Sequence, residues 1–407
     1  MKKINKRPGI LILFLLGFIT FTVLWATVSK ILASGNIIVS GGITDANVSF
    51  GGMQRRVVFV NGNWYAFYTS AGQVLYRKSP DGIVWSADVN IETSDSNNYN
   101  PSIWRKGDLI YAAWVDSGDE TLEFRTIDTA NSDNLGSLCA SPAAPPTPQP
   151  IDANFMTSIA VTDDNTVYAS YSDTSDPGMT TQGDHPVAIY KINYGACTFA
   201  DINSGALYDQ DRPVLITTGN TLHMVFSDFA WLVYSQYNGA AWTFDYELIA
   251  VVDDNTYSVT TDGTNLYVMS FVENKGLSYT ADLGNNEIHP PPGGNHFYKF
   301  NGTTWSTVAT PYDDFSSPPS VLSDQVWRSY VTVVGNDNLA RIINYRFPDD
   351  ELEYFQCTNV SCSTYNRTAF PIAPLVWQHS GDMAIGPDGY ARILYVPTSD
   401  HALHLIR

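Results

Sequence analysis

Apolar and polar residues alternate over short runs along most of this chain, and each run stops at a Gly, Asn or Asp. The segments "VVFVNGNWYAFYTS" (57–70), "SIWRKGDLIYAAWVD" (102–116), "SIAVTDDNTVYASYSD" (158–173), "PVLITTGNTLHMVFSD" (213–228), "YSVTTDGTNLYVMSFVE" (257–273), "YVTVVGNDNLARIINY" (330–345) and "DMAIGPDGYARILYV" (382–396) align on this pattern. Each places a tight turn between a β-branched run and an alternating aromatic or aliphatic run, which predicts a hairpin. No stretch beyond residue 35 sustains an i, i+3, i+4, i+7 apolar pattern, so the body is read as all-β.

A third run follows most hairpins, as in "QVLYRKS", "TLEFRTI", "VAIYKIN", "WLVYSQY", "NHFYKFN", "LEYFQC" and "ALHLIR". A second turn class comes next: "DGIVW" (81–85), "NGAAW" (238–242) and "NGTTW" (301–305) superimpose, with Gly supplying positive φ and Trp starting a fourth strand. The unit is a four-stranded meander, repeated. One such sheet cannot bury both faces, and radial stacking leaves only short edges exposed, so a β-propeller of six or seven blades is expected. The last unit ends at "ALHLIR" without a fourth strand, and "NIIVSGG" (36–42) is placed to supply it, joining the two chain ends. The Pro-rich segments "LCASPAAPPTPQP" (138–150) and "EIHPPPGGNH" (287–296) read as surface excursions.

The N-terminus breaks the pattern. Lys2, Lys3, Lys6 and Arg7 precede an uncharged, mostly apolar run from Gly9 to Val28, and about 20 residues of helix span a bilayer core. Residues 1–34 are read as a cytoplasmic tail plus transmembrane anchor, and 35–407 as the propeller, placed outside the membrane by the positive-inside rule, extracellular or periplasmic. Cleavage near Ala33 is the alternative and gives a secreted protein. Four cysteines suit export. Cys357 and Cys362 are spaced for a disulfide-closed hairpin, and Cys139 and Cys197 are a candidate second pair.

Acidic residues outnumber basic ones, 41 to 22, for a net charge of −19, and no basic stripe is visible. Nucleic acid is therefore excluded as a partner. The acidic runs "DTSDPG" (173–178), "VVDDNT" (251–256) and "FPDDELE" (347–353) offer oxygen ligands for Ca²⁺, but none has the spacing of a full calcium loop. No other metal site or cofactor is expected, and no nucleophile elbow, phosphate loop or zinc-protease motif occurs.

"SPDGIVW" (79–85) resembles a short form of the Asp box found in sialidase-like repeat propellers. The paired-Cys hairpin followed by "MAIGPDG" is similar to secreted bacterial propeller repeats. The resemblance implies a structural role for Ser79, Asp81, Gly82 and Trp85: the first two hold the turn's backbone, and the Trp packs between sheets. It implies a fold more than an activity. In a propeller, ligands meet the face where the innermost strands begin, so the candidate binding residues are Arg56, Asn100, Asn154, Arg212, Tyr257, Trp327, Arg328 and His379, beside Arg55, Asn98, Thr157 and Asp382. Such a polar and aromatic set suits a glycan or a cell-surface protein.

The leading reading is a non-enzymatic binding module at the cell surface. The alternative is a sialidase-like glycoside hydrolase, for which the resemblance implies an arginine triad of Arg56, Arg212 and Arg328 with Tyr330, Glu273 and Asp116 by type. Here the chain reads "RRVV" where that family has an Arg-Ile-Pro motif. A purely structural surface protein is the third reading. Asp116, Asp173 and Asp228 end second strands at one register, and such repeated acids more often bond turn backbone than a ligand.

Overall fold

A computed structural model describes residues 36–39, 55–92, 97–143, 156–172, 188–202, 211–228, 231–250, 257–272, 294–309, 327–335, 337–346, 351–360, 362, 364–371, 381–396 and 402–406. Their strands form seven antiparallel sheets, each an up-and-down meander, so the chain is a seven-bladed β-propeller. The innermost strands of blades 1 to 7 are Val57–Val60, Asn98–Lys106, Met156–Val161, Asp211–Thr218, Tyr257–Thr261, Trp327–Val334 and Gly381–Ile385. Each packs against its successor, and the strand of blade 7 packs against that of blade 1, closing the ring.

Blade 7 is completed from the other end of the chain. Asn36–Val39 pairs antiparallel with Leu403–Ile406, with Asn36 opposite Leu405 and Ile37 opposite His404. The expected joining of chain ends is therefore present. Blade 2 differs at its outer edge, where Asn134–Leu135 and Cys139–Ala140 both pair with the third strand, Thr121–Asp128. The run after that strand is too broken by Gly and Ser to make one continuous fourth strand.

Seven apolar clusters hold the ring, one at each junction between neighbouring blades. Period-two alternation explains this: in blade 3, Ile159 and Val161 face blade 2, while Ala160 and Tyr168 face blade 4. Trp85, Trp242 and Trp305 each pack into the junction with the preceding blade. At all three turns the first residue's side-chain oxygen accepts two backbone N–H groups. Asp81 Oδ1 takes Ile83 at 2.8 Å and Val84 at 3.0 Å, Asn238 Oδ1 takes Ala240 and Ala241 at 3.0 Å, and Asn301 Oδ1 takes Thr303 and Thr304 at 2.9 Å. Ser79 Oγ adds a bond from Gly82 N at 2.9 Å, and Gly82, Gly239 and Gly302 all have positive φ.

Trp242 and Trp305 open fourth strands as expected, but Trp85 lies ahead of Val89–Asn90. In blade 1 the chain leaves the hairpin through a bond from Ser86 N to Lys78 O at 2.9 Å and only later rejoins the sheet. Two disulfides are formed, Cys139–Cys197 between blades 2 and 3 and Cys357–Cys362 within a blade 6 turn, and no described cysteine is free.

Candidate functional site

An up-and-down meander puts the start of the first strand, the turn between strands two and three, and the exit of the fourth strand at one end of the ring. That end is the mouth. The channel below it is crossed by Trp104, seventh of the nine residues in the inner strand of blade 2 and so nearer the opposite face. The half-buried indole packs against the clusters of junctions 2/3, 3/4 and 4/5, a reach that places it in the channel. The Arg55 guanidinium lies over the ring at 4.4 Å, and Nη1 reaches Ile159 O of blade 3 at 3.5 Å. A cation on a Trp face is held by the ring's quadrupole. Burial pulls Arg55 down to about 10, with Asp382 opposing, so it remains cationic at neutral pH.

Beside this plug runs the seam between blades 7 and 1. Asp382 Oδ2 accepts Arg56 N at 2.5 Å and Val57 N at 2.7 Å, and its Oδ1 accepts Met383 N at 2.7 Å. Burial pushes Asp382 up to about 6 against those donors, leaving it ionised at neutral pH. Arg56 is only 3% exposed, and its Nη2 donates to Asn100 Oδ1 at 3.3 Å. Asn100 has φ +54° and sits in a bulge between Tyr99 and Ser102, while its carbonyl accepts the Thr157 hydroxyl of blade 3. The inner strands of blades 4 and 6 carry register shifts at the same end, between Asp211 and Val214 and between Ser329 and Val331. Bulges of this kind bend a strand and re-aim its side chains.

A carboxyl pair lies under the mouth of blade 2. Trp114 Nε1 donates to Asn98 Oδ1 at 3.0 Å and to Glu123 Oε2 at 2.6 Å. Burial first, then the neighbouring Glu92 carboxyl, pushes Glu123 up to about 8. Glu92, which follows the last strand of blade 1, is thus the neighbour that adds to the effect of burial on Glu123. Asp116 is fully buried and its Oδ1 accepts Gly118 N at 2.7 Å, capping the turn between strands two and three.

Of the residues expected at the mouth, Arg56, Asn98, Asn100, Thr157 and Asp382 are brought together by blades 1, 2, 3 and 7 but are buried. Tyr257 is fully buried in the junction of blades 4 and 5. Arg212, Trp327, Arg328 and Tyr330 stand at inner-strand starts of blades 4 and 6, and their side chains lie outside the described residues. Asn154, Glu273 and His379 also lie outside them. Sequence reasoning missed Trp104; its signal is a lone Trp aligned with Ala160 of "SIAVTDD". The acidic runs 173–178 and 251–256 fall outside the described residues, and among those described no group of acids, His or Cys is arranged to hold a metal.

No protein family and no curated protein matches this chain. Solved structures do. An oligogalacturonate lyase in complex with manganese matches with a TM-score of 0.51 at 13% identity, over 88% of this chain and 89% of that one. A polysaccharide lyase, an ulvan lyase bound to a GlcA–Rha3S saccharide, matches with a TM-score of 0.50 at 9% identity, over 91% and 94%. A six-bladed lectin of Aleuria aurantia matches with a TM-score of 0.44 at 10% identity, over 80% and 97%. At these identities the likeness is one of fold, that of the β-propeller.

Proposed function

We propose that this chain is an exported propeller, tethered by its apolar N-terminal segment, whose mouth binds a glycan. The observation that carries the reading is Arg55 on Trp104 at 4.4 Å, deep in the channel below the mouth. Asp382 already joins blades 7 and 1 through backbone N–H groups. Arg55, half-buried and with one long bond of 3.5 Å, keeps donors for a ligand. A preformed concave site with a few fixed donors over an aromatic face suits hydroxyl-rich sugars.

Export is supported by two disulfides and by the positive flank of the apolar run. The Ser79 and Asp81 bonds support the Asp-box reading of their turn. Two solved structures of like fold are a polysaccharide lyase and an oligogalacturonate lyase, in keeping with a glycan at the mouth.

The test is a glycan array probed with the full chain in a non-glycosidic detergent, beside Arg55→Ala. Retention of a defined glycan set, lost in a variant that melts at the wild-type temperature, is the expected result. A blank array with folded protein, or an unchanged profile for Arg55→Ala, overturns it. Turnover of a fluorogenic sialoside that disappears in Arg212→Ala and Arg328→Ala replaces binding alone with sialidase-type hydrolysis.

A further inference from the structure

On the face opposite the mouth, three consecutive blades expose apolar side chains at their turns. Val360 and Tyr365 belong to the turn between the last two strands of blade 6, Tyr390 to the turn between the first two of blade 7, and Ile83 and Val84 to the Asp-box turn of blade 1. Val84 is 69% exposed and Tyr390 59%. Blade 7 packs against both of the others, so the five side chains lie on one arc centred on it. The turns that carry them are fixed. A Cβ at Gly82 would lie 3.7 Å from Arg392 Nε, and one at Gly386 2.8 Å from Trp64 Cζ2, so the turns of blades 1 and 7 sit side by side. The Cys357–Cys362 disulfide closes the turn of blade 6.

Charge is neutralised along the arc, although the chain carries −19. Asp88 pairs with Arg77, Asp337 with Arg341 at 2.6 Å and Asp388 with Arg392 at 2.9 Å, each within its own blade. Asp81 Oδ1 accepts the Ser79 hydroxyl and two backbone N–H groups. The segment "TNVSCST" (358–364) has no charged residue.

The N-terminal segment reaches the ring from the same side. Asn36–Val39 runs antiparallel to the third strand of blade 7 and therefore toward the mouth, so the chain before Asn36 approaches from the opposite face. Arg77 Nη1 donates to Ile38 O and ties this strand to blade 1. Only residues 29–35 separate the apolar run from Asn36, and that length of chain reaches at most about 25 Å.

We infer that this arc is a membrane-docking face: Ile83, Val84, Val360, Tyr365 and Tyr390 rest in the headgroup region of the bilayer, and the mouth points away from it. The inference rests on reading Gly9–Val28 as a membrane anchor. A ring held on so short a connection stays close to the lipid, with this face turned toward it. Apolar side chains on a rim of neutralised charge enter the interface, and tyrosine suits that depth because its ring is apolar and its hydroxyl wet.

The test uses the full chain reconstituted in phosphatidylcholine vesicles that carry a nitroxide on the headgroup. All four cysteines are in disulfides, so the one thiol of Val84→Cys, or of Asp119→Cys in the exposed mouth-side turn of blade 2, takes an NBD fluorophore alone. Quenching at position 84 is expected to exceed that at 119 at least about twofold, and to be lost when Ile83→Ser and Tyr390→Ser are added. An unchanged melting temperature of that variant shows that the loss is local. Equal quenching at the two positions, stronger quenching at 119, or cross-linked dimers with position 84 unquenched overturns the docking face. Alkaline carbonate separates the two readings. A chain that resists extraction while position 84 is unquenched keeps the anchor and removes the docking face. A chain that carbonate strips after quenching at position 84 removes the anchor and leaves the docking face standing.

Discussion

The carboxylate of Asp382 accepts the backbone N–H of Val57 at 2.7 Å across 325 residues of sequence, at the seam where the last blade meets the first. The same oxygen takes Arg56 N, so one side chain satisfies two main-chain donors of the neighbouring blade. Asp382→Ala leaves both donors and the two nearby guanidinium groups without their counter-charge. It is expected to cost about 3–5 kcal/mol in urea unfolding. Asp382→Asn keeps an acceptor and should cost less, about 1–2 kcal/mol. Equal losses for the two variants would show that charge, not acceptance, is what the seam needs.

Glu123 has its folded-state pKa raised from the carboxylate range to about 8 by burial and by Glu92. The folded chain therefore binds more protons than the unfolded one between about 4.5 and about 8. Its contribution to stability is complete below the lower value and is lost as pH rises through the upper one. Glu123→Gln, which is neutral at every pH and keeps an acceptor for Trp114, is expected to flatten the fall in melting temperature across that window. A slope unchanged in Glu123→Gln would assign it to other groups.

Trp104 fills the channel and carries Arg55 on its face. Trp104→Ala is expected to lose about 3 kcal/mol through the space it leaves, with roughly a further 0.5–1 kcal/mol from the lost cation–ring contact. Trp104→Phe should recover most of both. Chemical denaturation of the pair, with Arg55→Ala in a double-mutant cycle, separates the two parts.

Gly82 and Gly239 both have positive φ, +76° and +96°, yet their surroundings differ. A methyl at Gly239 meets nothing within 4 Å, whereas at Gly82 it meets Leu405 Cδ2 at 3.4 Å and Arg392 Nε at 3.7 Å. Gly239→Ala should cost about 1–2 kcal/mol from backbone conformation alone. Gly82→Ala is expected to cost no more than Gly239→Ala, because its methyl meets blade 7 only at ordinary van der Waals distances. A much larger drop in melting temperature for Gly82→Ala would show that the turn has no room for the methyl.

Repetition made the fold legible. The hairpin and its Gly turn recur closely enough to count blades, and the missing fourth strand after "ALHLIR" pointed to "NIIVSGG". The turn chemistry was legible too, since Asp81, Asn238 and Asn301 can each accept from the two N–H groups that follow. The mouth was less so. Arg55 and Arg56 are adjacent in sequence, and only the ring shows that Arg56 turns toward Asn100 while Arg55 crosses to Trp104. Glu92 and Glu123 belong to different blades, so the raised pKa of Glu123 depends on how two sheets stack. The position of Asn100 depends on a bulge that no alternation pattern encodes.

The pairing of Asn36–Val39 with Leu403–Ile406 also sets the order of assembly. The first of these strands is synthesised before every blade and the second after all of them. Six sheets can form by local hairpin contacts as they emerge, each stacking on the one before. Blade 7 cannot, because its outer strand has waited since the beginning with Ile38 and Val39 unburied. Closure is then a late search between distant segments, the kind of non-local step that slows folding and exposes an unpaired edge meanwhile. Until it is complete, the same edge is open to the equivalent strand of a second nascent chain.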